Sequence, residues 1–292
     1  MGDHAPSVKY TPRIWTADEL AKHTFTYSFL VHPVIPAGGI AFFHGKRAIG
    51  KTHFALTMTA CINAGGILFG RYQTRKHTVV YIQADMPHQV QQQRVQMAQT
   101  LYPLDGLHFY FPVALDVLEL RSDSPLVDQI RKREPGLIVW DTLRKVMRGS
   151  TNDDDIPSMI YGRVRELFPG CTHLFIHHDK KTIVDQSALD RDEWFRGSGA
   201  WLDDADTGLH LTEAAPGRLV LQFTKLRTCG EQEHVALTLN ERTLLLYASG
   251  NAQRFAEAWV HAHGHDPDKL YRHLLDAFVC SPQLAKDLAR DT

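Results

Sequence analysis

The stretch "HGKRAIGKTHF", His44 to Phe54, decides how this chain is read. Gly45 to Thr52 fit the phosphate-loop spacing Gly-x-x-x-x-Gly-Lys-Thr. Two glycines there let the backbone turn its N–H groups onto an anion just before a helix begins. In such a loop Lys51 reaches the β- and γ-phosphates of ATP, and Thr52 places its hydroxyl on Mg2+. Gly45, Lys46, Arg47, Ala48, Ile49, Gly50 and His53 complete the candidate nucleotide contacts. Lys46, Arg47 and Ile49 stand where such loops often carry small residues. They do not spoil the cradle, because side chains at these positions can project outward while the backbone faces phosphate. The alternative is a glycine-containing turn with a solvated lysine. Position argues against it, since the loop joins an apolar run, "GGIAFFHG", to the helix-like "KTHFALTMTACINAGG".

Downstream, apolar runs alternate with helical patterns. "HTVVYIQAD" reads as a strand and "MPHQVQQQRVQMAQTLY" as a helix. "LHFYFPV" is a third strand, "SPLVDQIRKRE" a helix, "GLIVWD" a strand, "IPSMIYGRVRELF" a helix and "CTHLFIHH" a strand. From Arg218 the period changes to two around a polar turn, in "RLVLQFTKLRT" and "HVALTLNERTLLLYAS", which predicts antiparallel strands. The expected fold is an α/β core with a mainly parallel twisted sheet and a C-terminal antiparallel hairpin. Three regions follow: an N-terminal arm over 1–29, with a short helix at "TADELAKH" capped by Thr16 and Glu19; a core over 30–250; and a small helical extension over 251–292.

The chain has 292 residues, 32 Lys plus Arg against 33 Asp plus Glu, and 43% hydrophobic residues. That is enough apolar material for a sizeable core. A formal charge of −1 gives no global electrostatic signature of nucleic-acid binding, so any such contact must be local. The four cysteines lack paired ligand spacing and fit reduced thiols. No apolar run approaches the roughly 18 residues that span a bilayer, so no membrane partner is expected and a cytoplasmic location follows by default.

Several residues complete the candidate chemistry. Asp141 ends the buried strand "LIVWD", where a carboxylate can hold Mg2+ with Thr52. Asp85 ends "TVVYIQAD". A strand adjacent to that of the loop would bring it to the same sheet edge to orient water; capping the following helix is its other role. His177 and His178 end "THLFIHH" and meet the γ-phosphate region if that strand lies beside the strand of Asp141, with buried or capping histidines as the alternative.

The segments "GKRAIGKT", "VVYIQAD", "QQQRV" around Arg94, "LIVWDTLRKV", "LFIHHDKK", "WFRGSGAWLDDAD" and "FTKLRT" resemble, in this order, the RecA-like core of hexameric replicative helicases. The resemblance is strongest to the RepA type encoded by broad-host-range plasmids, a relative of the DnaB group, and covers roughly residues 30–230. It implies a P-loop ATPase that acts as a DNA helicase in replication. The implied partners are single-stranded DNA, further copies in a ring, expected to be a hexamer, and a primase or replication initiator. It also implies that Lys225 and Arg227 touch the γ-phosphate held by a neighbouring subunit, with Arg227 as an arginine finger; charge on an exposed hairpin is the alternative. Arg144, Lys145 and Arg148 on one channel loop, and Lys180, Lys181 and Arg196 on another, become DNA-binding candidates, although both loops also carry acidic residues. The family commonly has Glu at the position of Asp85, so the carboxylate here is shorter by one methylene. A recombination ATPase and a nucleotide-controlled assembly protein share the same core and remain competing readings.

Overall fold

A computed structural model describes residues 14–24, 27–100, 102–179, 199–215, 217–248, 252–276 and 282–291. In chain order the elements are α1 (Ala17–Lys22), β1 (Phe29–Val31), β2 (Ile35–Pro36), β3 (Ile40–Gly45), α2 (Lys51–Ala64), β4 (Ile67–Leu68), β5 (Tyr72–Gln73), β6 (Val79–Gln83), α3 (His88–Gln99) and β7 (Leu107–Tyr110). They continue with α4 (Pro125–Arg131), β8 (Leu137–Asp141), α5 (Asp155–Leu167), β9 (Thr172–His178), α6 (Ala200–Asp203), β10 (Thr207–Ala215), β11 (Arg218–Leu226), β12 (Val235–Leu239), β13 (Leu246–Ala248), α7 (Ala252–His263), α8 (Pro267–Asp276) and α9 (Pro282–Asp291). Nine strands form one sheet in the order β13-β12-β11-β10-β3-β9-β8-β6-β7. The run from β10 through β3, β9, β8 and β6 to β7 is parallel, and β10 to β13 are antiparallel neighbours.

Alternation within the central strands explains how both faces are covered. Ala41 and Phe43 of β3, Val139 of β8 and Ile176 of β9 join the core that packs on α2. Ile40, Phe42, Trp140 and Phe175 join the other core, with residues of α4, α5 and α6. Successive side chains of a strand point to opposite faces, so runs that are apolar at every position suit a sheet buried on both sides. Aromatic stacking reinforces the second core: Trp140 and Phe175 lie 5.8 Å apart at 7°.

Most expected elements are present. The α1 capping box is formed through Thr16 and Glu19, and α2 ends at Gly65 with φ 75°. Among the described residues, burial begins at Leu30 and Val31, where the core starts, and none of the α1 residues is buried. The helices α7, α8 and α9 share a small core of their own, against which Ile67 packs.

Two departures matter. Strand β10, in "TGLHLTEAA", has no counterpart in the expected elements, yet it pairs directly with β3. Second, the strand leading to Asp85 is not adjacent to that of the loop, because β9 and β8 lie between β3 and β6. Linear order does not specify which parallel strands become neighbours.

Phe175 packs on Trp140 and Tyr161 in the middle of the sheet. Phe175→Ala should cost about 3–5 kcal/mol in denaturant unfolding. Met159→Ala, at a 52% exposed position, should stay within about 0.5 kcal/mol of the parent.

Candidate nucleotide-binding site

Strand β3 runs straight into the loop, and α2 begins at Lys51. Gly45 has to be glycine because an added Cβ would lie 2.7 Å from the Leu211 carbonyl oxygen of the neighbouring β10. Gly50 sits at φ 105°, a conformation that side-chain-bearing residues rarely adopt, and Ala48 is at φ 60°. These turns shape a loop in which Lys46, Arg47 and Ala48 are exposed while Lys51 is buried. The Lys51 Nζ donates to the carbonyl oxygens of Gly45 and Lys46, at 2.6 Å each. Burial lowers its pKa to about 8, against the opposing pull of Asp179, Asp141 and Asp85.

Asp141 stands beside the start of α2. Its Oδ2 accepts hydrogen bonds from Thr52 Oγ1 at 3.1 Å, Tyr81 Oη at 2.8 Å and Gln83 Nε2 at 3.1 Å. Burial raises the Asp141 pKa, and the three donors oppose that rise. A nearby cation would favour the charged carboxylate further. One hydroxyl beside one carboxylate is a donor set that suits Mg2+.

Although β6 is distant from β3, the turn after it returns Asp85 to the site. The Asp85 backbone N–H donates to Gln83 Oε1 at 2.9 Å, and a carboxylate oxygen lies 3.8 Å from His178 Nε2. Asp85 does not cap α3, whose N-cap is Pro87. The strand β9 lies between β3 and β8, placing His178 in register with Gly45. Burial, followed by the Lys51 charge, lowers the His178 pKa. His177 alternates to the other face and is fully buried. Next to the loop opens a cavity of about 330 Å3 lined by Lys46, Arg47, His53, Leu219 and Leu246. His53 Nδ1 donates to the Leu244 carbonyl at 2.9 Å, which fixes the ring at the cavity wall. The cavity volume lies within the range of small-molecule pockets.

Residues 5–183 match the family AAA_25, described as AAA domain. The chain belongs to this family. Among solved structures, it is similar to one described as an ATPase domain, with a TM-score of 0.54 at 13% identity over 73% of this chain and 85% of that one. It is also similar to "The Structure Of A DnaB-Like Replicative Helicase And Its Interactions With Primase", with a TM-score of 0.53 at 14% identity over 72% of this chain and 57% of that one. At these identities the likeness establishes the fold, a RecA-like ATPase core. No curated protein matches the chain.

The remaining candidate residues fall on other elements or outside the described residues. Thr207 pairs with Ala41 on one side and with Leu226 on the other. Lys225 is therefore level with Phe42 and Arg227 lies beyond Ala41, about 10 and 17 Å along the strand direction from Gly45. Lys225 donates to the carbonyls of Leu202 and Asp203, and Arg227 lies 3.6 Å from an Asp206 carboxylate oxygen. Arg144 and Lys145 are exposed on the short 3-10 turn that follows β8. Arg148 is exposed too, with its charge 3.1 Å from Glu119. Lys180, Lys181 and Arg196 lie outside the described residues.

Tyr81 and Gln83 join the site, and His44, Asp179 and His210 lie directly behind it, without having been expected there. For Tyr81 and Gln83 a signal existed: they alternate on the strand that precedes Asp85, and Gln83 pairs with Asp141. For the other three, tertiary pairing alone reveals them.

Because Lys51 must be charged to hold phosphate, nucleotide affinity should be flat below pH 8. It should then decline by up to about tenfold per pH unit as the free-site lysine loses its proton. Fluorescence titration with a labelled ATP analogue between pH 6.5 and 9.5 measures this. Affinity that rises across that range would contradict the placement of Lys51.

Proposed function

We propose that this chain is the motor of a ring-forming replicative DNA helicase of the RepA type, driven by Mg-ATP hydrolysis. The observation that carries the reading is the position of Arg227, part-exposed at the end of the sheet far from its own phosphate loop. An arginine that completes an ATP site from there does so for another copy, which favours head-to-tail assembly. The RecA-like fold, shared with a protein described as a DnaB-like replicative helicase, supports the same class.

In this reading the loop N–H groups and Lys51 hold the β- and γ-phosphates. Lys51 leaves the Gly45 and Lys46 carbonyls to do so. Thr52 and Asp141 would hold Mg2+, which would supply positive charge to the phosphate oxygens. Asp85 orients the attacking water and takes up its proton, and its shorter reach predicts slower turnover than a glutamate would give. His178, beside Asp85, senses the γ-phosphate and passes its loss to the loop that follows β9. Lys225 and Arg227 of the next copy stabilise the charge that develops on the transferred phosphoryl group.

Arg144 and Lys145 face the single strand without reading its sequence, joined by Lys180, Lys181 and Arg196 from the second loop. Arg148 reaches DNA by exchanging Glu119 for phosphate. A ring of six copies around the strand, with a primase or initiator as partner, completes the proposed assembly.

Strand displacement on a forked duplex tests this directly. The wild-type chain should separate strands only with hydrolysable ATP. Arg227→Ala should keep nucleotide binding while ATP turnover falls on the order of 10³-fold. Homologous pairing without displacement would favour a recombinase, and turnover indifferent to single-stranded DNA would favour a regulatory ATPase.

A further inference from the structure

Three buried side chains lie directly behind the phosphate loop without belonging to its nucleotide contacts. His44 precedes Gly45 on β3, Asp179 follows His178 at the end of β9, and His210 lies on β10 in register with His44. His44 Nδ1 donates to Asp179 Oδ1 at 2.9 Å, and His210 Nε2 donates to Asp179 Oδ2 at 3.1 Å. The two imidazoles stack 4.2 Å apart at 10°. All three side chains are buried.

The chemistry of this unit is a carboxylate held between two ring N–H donors. Burial alone would raise the Asp179 pKa; the hydrogen bonds from His210 and His44 outweigh it and hold it down to about 2. Burial keeps His44 neutral, with its pKa lowered to about 4. An ionised carboxylate only accepts, so each nitrogen facing it carries a hydrogen, which fixes both tautomers. The three residues also have the composition of a metal centre, and their ligand atoms lie within 4.8 Å of one another. The arrangement favours hydrogen bonding instead. Each ring addresses a different oxygen of the one carboxylate, and the rings are stacked, whereas ligands of a tetrahedral ion converge on a single point.

The main chain connects this unit to the loop. The Asp179 N–H donates to the Gly45 carbonyl at 3.1 Å, and that same carbonyl accepts from Lys51 Nζ. A trans peptide sends its C=O and the following N–H in opposite directions. Holding the Gly45 carbonyl therefore also orients the Lys46 N–H at the start of the loop.

We propose that His44, Asp179 and His210 form a positioning unit that locks the first peptide of the phosphate loop to the end of the His178 strand. ATP then meets a preformed cradle. The inference rests on the nucleotide-binding reading of the loop and needs nothing from DNA or from other copies. In it, Asp179 and the two histidines act through the loop and Lys51 and do not touch the phosphates themselves.

Steady-state ATP hydrolysis by the 292-residue chain tests this. Asp179→Asn keeps the shape of the side chain but replaces one of the two acceptors by a donor. Its KM for ATP should rise about tenfold, the scale of one charge-assisted hydrogen bond, with kcat changed by less than about threefold. His44→Asn and His210→Gln place an amide donor near the original ring nitrogen and should keep KM within about threefold of wild type, a rescue that bulk repacking would not give. An unchanged KM in Asp179→Asn overturns the proposal, as does an equal rise in the two donor-preserving variants. Equimolar zinc in the purified wild-type chain, lost from His44→Asn, overturns it in favour of a metal centre. A wild-type chain that binds no labelled ATP analogue overturns the nucleotide reading as well, whereas each of the other outcomes leaves that reading standing.

Discussion

Strand β3 is hydrogen-bonded in parallel to β9 on one side and to β10 on the other, and every one of its six residues is buried. Its position fixes where the phosphate loop leaves the sheet and which side chains can reach it. A parallel strand buried on both faces cannot shift register by one residue without sending its apolar groups to the wrong core. The loop geometry is consequently inherited from the most constrained part of the sheet. Gly45 shows how tight the constraint is, since even one methyl group there would collide with the Leu211 carbonyl.

From that anchor the site assembles across four strands. Thr52 and Asp141 meet because β8 is separated from β3 only by β9. Asp85 arrives from one strand further out, through the turn after β6, and His178 meets it from between. Opposing charges therefore gather at one sheet edge, where buried Lys51 feels the pull of buried Asp179 and Asp141 and of exposed Asp85. The other end of the sheet carries Lys225 and Arg227, too far from the same loop to serve it. In the proposed assembly these two residues would complete the site of a neighbouring copy, which is the physical argument for it.

Much of this was legible in the sequence because it is local. The spacing from Gly45 to Thr52, the apolar run ending at Asp141 and the two-residue alternation after Arg218 are short-range signals, and each element formed where its pattern placed it. What could not be read is strand order. Asp85 was expected next to the loop strand, but two strands intervene and the contact is restored by a turn. The strand "TGLHLTEAA" carried no signal strong enough to mark it, although it supplies the direct neighbour of β3. His44 and Asp179 are 135 residues apart and become partners only when β3 pairs with β9.

The central claim, an ATP site shared between copies, is tested most directly by mixing two inactive variants, Lys51→Ala and Arg227→Ala. In a randomly mixed head-to-tail assembly about a quarter of the interfaces join an intact Lys51 to an intact Arg227. ATP hydrolysis should therefore return to about that fraction of the wild-type rate. A mixture no more active than its separate components would contradict the shared site.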